Sequence, residues 1–262
     1  MGQQGGMLGL RGTVGGLVFA KDGTVRQKPA SNKAAFASKA SMARVRENAS
    51  EFGRAAKLAV PLRRLLQKMM PAQFGVAVPA GELTACYRAA LAADTVNARG
   101  ARTLGLGKLG GVVGLSVGSA SGPALVGLFQ KPVGGYLFRQ DVAPYILGPY
   151  PLTRLFSEAP LTEFVAQRDL LAPQGATHYE LVSGIVATCP DGSDVKEFVD
   201  VRGITPVDYI SPVGLSLGSN VSYIGNRVLE QFVFAAGVRF YQEVNGQYYP
   251  LTGGGAVIVA AM

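Results

Sequence analysis

A chain of 262 residues, 48% of them hydrophobic, can bury a sizeable core and is not a disordered polymer. Its charged fraction of 16% lies well below the usual quarter, and 35 glycines with no tryptophan imply a neutral, loop-rich surface that favours self-association. The net charge of +8 is lopsided: residues 1–73 hold 13 Lys and Arg against three acids, a net +10, whereas the remainder carries −2, so a basic first third is expected to meet an anionic partner.

The chain opens without a charged and then apolar leader, and Gly6 stands where a myristoylation signal needs Ser or Thr. No apolar run reaches the ~18 residues of a spanning helix. Synthesis in the cytoplasm, no membrane span and a final place in a particle are the expectations.

Residues 7–29 predict a β-hairpin: Leu17–Lys21 and Thr24–Lys28 flank Asp22-Gly23, a pair suited to a type I′ turn, and Pro29 stops the second strand. Gly12, Gly15 and Gly16 read as a flexible or closely packed entry to the hairpin. From Ser41 a helix is expected to 70, with Met42, Val45, Ala49, Phe52, Ala56 and Ala59 on its apolar side. Arg46, Arg54, Lys57, Arg64 and Lys68 gather opposite, and Pro61 is expected to end one helix at Val60 and open another. A further helix is predicted from Glu82 to about Val96, yielding at Gly100.

Beyond Gly100 short apolar runs alternate with turns: Gly111–Val117, Ala124–Phe129, Tyr136–Phe138, Tyr179–Thr188, Glu197–Val201 and Arg227–Phe234. Asp191-Gly192 marks a hairpin, and Asn245-Gly246 marks another joining Val238–Val244 to Gln247–Leu251. Val238, Phe240 and Val244 then face one way and Arg239, Tyr241 and Glu243 the other. The apolar tail Ala256–Ala261 calls for burial in the sheet or against a neighbour. The fold class is therefore α+β, mainly β: an arm (1–31), a basic helical segment (32–100) and an antiparallel sandwich or barrel (101–262).

Chemical motifs are sparse. Gly105-Leu106-Gly107-Lys108-Leu109-Gly110 fits G-x-G-x-x-G, but Val112-Val113 favours a strand where a dinucleotide site needs a helix, and the next acid is Asp141. His178 is the single histidine, so Ser183 or Cys189 would have to act through it; neither lies in a nucleophile elbow. Asp191, Asp194, Glu197 and Asp200 lack the order of a calcium loop, and Cys86 and Cys189 are too few for a metal or disulfide framework. No enzyme activity, cofactor or metal is expected.

Gly12, Gly15-Gly16-Leu17-Val18-Phe19, Asp22-Gly23, Arg26-Gln27-Lys28-Pro29 and the helix through Arg46, Phe52 and Leu58 give the first 65 or so residues a likeness. The stretch resembles an uncharacterised Bacteroidota family of phage-like or accessory-genome type. The resemblance implies a β-rich C-terminal part and no catalytic residues. The glycine-rich middle, Leu104–Gly135, is longer in this chain.

The leading expectation is a self-assembling structural subunit of a virion, filament or similar particle, its partner another copy of itself. The arm would add to a neighbour's sheet through Leu17, Val18, Phe19, Val25 and Arg26. The alternative is a sequence-independent nucleic-acid-binding accessory protein using Arg46, Arg54, Lys57, Arg64 and Lys68. A carbohydrate-active β-rich enzyme ranks third.

Overall fold

The structure, a computed structural model, describes residues 2–3, 11–28, 33–105, 108–118, 137–143, 152–161, 169–189, 192, 195–208, 215–224 and 231–261. The fold is α+β and mainly β, with a six-stranded and a three-stranded antiparallel sheet beside the helices. Two compact units divide the chain at residues 1–46 and 47–262.

The first unit holds β1 (Gly2–Gln3), β2 (Gly12–Val14), β3 (Leu17–Phe19) and β4 (Thr24–Gln27) in the order β1-β4-β3-β2. A short α1 (Lys33–Ser38) follows. Gly15 and Gly16, expected as part of a flexible or closely packed entry, are the two-residue turn of a further hairpin that pairs Val14 with Leu17. Positive φ falls on Gly15 alone, as a type II′ turn requires.

The Asp22-Gly23 hairpin forms, but by a different turn from the expected one. Gly23 N–H bonds the Ala20 carbonyl and Ala20 N–H bonds that of Thr24, which makes a three-residue loop. Only Gly23 takes positive φ (80°), the geometry of a type I turn with a bulge. Asp22 instead uses its carboxylate to accept from the Thr24 hydroxyl (2.6 Å) and N–H (3.0 Å), bonds that lower its pKa.

α2 (Ala43–Met69) runs unbroken through Pro61, contrary to the expected break at Val60. The missing N–H costs one backbone bond, and burial of the proline with Leu58, Leu62 and Leu65 offsets it. Its core face is also rotated from the expected one. Ala55, Leu58, Leu62, Leu65, Leu66 and Met69 are buried, while Met42, Val45 and Phe52 are exposed.

α3 (Ala80–Ala92) ends earlier than predicted. Just after it, Asp94 accepts from the N–H groups of Val96, Asn97 and Thr103, turning the chain; these bonds hold its carboxyl well below the usual range. This loop is tied back to α2. Glu51, buried in the helix, accepts from Gly100 N–H at 3.0 Å and lies 3.5 Å from Arg102.

The large sheet has the order β10-β8-β12-β13-β5, with β9 also on β8. Its strands are β5 (Ser116–Gly118), β8 (His178–Thr188), β9 (Val195–Val201), β10 (Thr205–Pro206), β12 (Gln231–Val244) and β13 (Gln247–Ala261). β6 (Leu137–Ala143), β7 (Leu152–Leu161) and β11 (Leu215–Ile224) form the small sheet, with β7 in the middle.

The run expected at Gly111–Val117 is a 3-10 turn over Lys108–Val112 followed by the three-residue β5. The run expected at Ala124–Phe129 lies outside the described residues. β12 is one strand with register shifts at Phe234/Ala235 and Val238/Phe240. The Asn245-Gly246 turn is type I′ as expected, with φ of 54° and 79°.

Both faces of β8 and of β12 up to Tyr241 are buried, which is why these strands read as nearly continuous apolar runs. Val182, Val186, Val233, Ala235, Ala256 and Ile258 join the helix residues in one core. Leu181, Ile185, Phe234, Val238, Phe240 and Val257 form the other. Period-two alternation thus separates two interiors rather than core from water. Gly184 sets how closely α2 approaches: a Cβ there would lie 2.8 Å from Met69 Sδ and 3.0 Å from Leu65 Cδ1. The apolar tail is buried within the sheet, between β12 and β5.

Candidate assembly surface

In the N-terminal sheet, directly opposed residues share a face. The registers Val14↔Leu17↔Gln27 and Gly12↔Phe19↔Val25 place Val14, Leu17, Phe19 and Val25 together. Thr13, Val18, Thr24 and Arg26 lie on the reverse. One face is thus mainly apolar and uncharged, with Gln27 at one end, and the other is polar with a cation. Among the described residues of this unit none is buried: Val14 is 63% exposed, Leu17 45%, and Val18, Phe19 and Val25 are partly covered. Residues 1–46 carry eight Lys and Arg against one acid, a net +7, while the body carries +1.

Leu17, Phe19 and Val25 are therefore brought onto one face, and Val18 and Arg26 onto the other. β3 is central, with its backbone paired to β2 on one side and β4 on the other, so its bonds are satisfied within the chain. Among the described strands, the outer sides of β1 and β2 are the edges where a further strand could add. Val14 was missed as a surface residue. Its signal is Thr13-Val14 before Gly15-Gly16, which reads as a strand once the two glycines are seen as a turn.

The five basic residues of α2 do not form one free stripe. Arg46 donates to the carbonyls of Phe36 (2.7 Å) and Lys39 (3.0 Å), Arg54 to that of Arg102, and Lys68 pairs with Glu197. Lys57 and Arg64 are exposed and unpartnered among the described residues.

His178 Nδ1 is 2.9 Å from the Thr177 hydroxyl, and its ring meets Tyr248 edge-on at 4.9 Å. Ser183 and Cys189 are buried. Asp191 and Asp194 lie outside the described residues, as do Leu106 and Gly107 of the glycine motif, and Leu109 of that motif packs into the helix-side core. Among the described residues no group of three His, Cys, Asp or Glu is placed to hold a metal. No helix among them is long and apolar enough to cross a membrane.

Arg239 and Tyr241 face the helices and are buried there. Arg239 bonds Glu180 at 2.9 Å and donates to the carbonyls of Met69 (2.7 Å) and Lys68 (3.0 Å), capping the end of α2. Tyr241 Oη donates to the same carboxylate oxygen at 2.8 Å. With its partners spent on a helix end and a tyrosine, Glu180 serves the junction of sheet and helix. Compared with known proteins, the chain matches no family model and no curated sequence.

Proposed function

We propose that the protein is a non-enzymatic structural subunit that self-assembles through its N-terminal sheet, the apolar face of one copy docking on a neighbouring copy. The observation that carries this reading is an amphipathic sheet in which no side chain is buried among the described residues. Covering Val14 and Leu17 would contribute up to about 1.5–3 kcal/mol each, and the partly covered Phe19 and Val25 less. The face holds no charge, so a second copy can meet it without burying an ion, and β2 offers a neighbour an open strand edge. A virion or filament subunit fits this design. Nucleic-acid binding through α2 is the weaker reading: Lys57 and Arg64 alone would give a salt slope of roughly −2.

The salt dependence has opposite sign in the two cases. Copies joined by apolar faces on +7 units associate as strongly or more strongly when salt screens their repulsion. Binding to a polyanion weakens instead. The test is light scattering of the full chain and of a Leu17→Lys, Phe19→Lys double variant at low and high salt. The wild type should form oligomers that persist at high salt, and the variant should be monomeric. A monomeric wild type, or a variant of unchanged mass, would sink the proposal.

A further inference from the structure

Between α2 and the first turn of α3 lies a half-open cleft of 260 Å³. Its floor is apolar, made by Ala59, Val60 and Leu83. Lys57 and Arg63 line it from α2 and Thr84 lines it from α3. Neither cation has a partner among the described residues, and Arg63 Nε is buried with no acceptor. That nitrogen is closed off from solvent, so a ligand in the cleft would meet the remaining nitrogens of the guanidinium, which also have no partner among the described residues. Ala80, the first residue of α3, also lines the cleft, and no side chain caps that helix end, so its dipole adds positive potential there. Glu82, in the same turn, is not part of the lining. The Thr84 hydroxyl already donates to the Ala80 carbonyl at 2.8 Å, which leaves the negative charge of a ligand to the two cations.

We propose that this cleft binds a small amphiphilic carboxylate, the head group between Lys57 and Arg63 and a short apolar chain along Val60 and Leu83. Charge complementarity selects the head, because a neutral head would leave Lys57 and Arg63 without a counter-charge in the cleft. The apolar floor selects the chain over a bare anion. The volume sits just below the range for drug-sized ligands and suits roughly ten non-hydrogen atoms.

Isothermal titration of the full chain with octanoate, octanol and inorganic phosphate tests this. Octanoate should bind one per chain, with octanol and phosphate each at least about tenfold weaker. Arg63→Met should weaken octanoate by about tenfold or more. Ala56→Leu, which fills the cleft from a partly exposed position, should abolish binding and stands in if the arginine variant fails to fold. No saturable octanoate binding at roughly millimolar concentration would overturn the proposal. So would octanol or phosphate binding as well as octanoate, or wild-type affinity in whichever variants fold.

Discussion

At the scale of single residues, the polar side of β12 is the most informative feature of the body. Arg239 and Tyr241 point where an alternating strand would meet water, and the end of α2 with Phe74 covers them instead. Burial, and then the adjacent Glu180 carboxylate, push the Tyr241 hydroxyl up to about 12 from its ordinary 10.0. Burial raises Tyr87 in the same direction. Between these values the unfolded chain releases a proton that the folded chain keeps, so stability falls as pH rises from about 10 towards about 12. Tyr241→Phe removes one such group. It should lower stability at neutral pH by about 1.5–3 kcal/mol, the worth of a hydrogen bond to a charged acceptor. It should also make the alkaline decline shallower, leaving the part that belongs to Tyr87. Melting temperatures across the alkaline range check both, and an alkaline slope equal to wild type would show that Tyr241 titrates freely.

At the scale of elements, α2 links the parts of the body. Its C-terminal half packs on β8 at Gly184, and Glu51 in its N-terminal half secures the loop after α3. Glu51→Ala should cost about 1.5–3 kcal/mol, because Gly100 N–H and Arg102 both lose their acceptor. Glu51→Gln keeps an acceptor for the N–H and should cost less; equal urea midpoints for the two variants would place the loop's stability elsewhere. The helix was legible from its period, but not its phase. Met42, Val45 and Phe52 look like a core stripe, whereas the buried face starts with a glutamate whose partners lie 49 and 51 positions along the chain. Asn245-Gly246 and the apolar runs of β8 and β13 were readable because local turn chemistry and hydrophobic content agree there. β11 was not, since Gly218-Ser219-Asn220 in its middle imitates a turn. Neither was β7, where Arg154, Glu158 and Pro160 weaken the strand pattern. Of the assembly surface, the β3–β4 hairpin was legible. Its apolar face was not, because that face depends on β2 and hence on reading Gly15-Gly16 as a turn.

At the scale of the whole molecule, the two units differ in how they are stabilised. The body has two apolar cores that enclose a sheet, while the described residues of the N-terminal unit bury no side chain. Removing residues 1–38 should therefore leave a body that melts cooperatively, since no core residue of α2, α3 or the large sheet is lost. Association favours the folded form by mass action, so the melting temperature of the full chain should rise with protein concentration. The shortened chain lacks the docking face and should melt at one temperature whatever its concentration. Calorimetric scans over about a hundredfold range of concentration separate the two behaviours, that range being worth about 2.7 kcal/mol to a species bound at the upper end. If the shortened chain keeps the same concentration dependence, copies associate through the body, and the N-terminal sheet has another task.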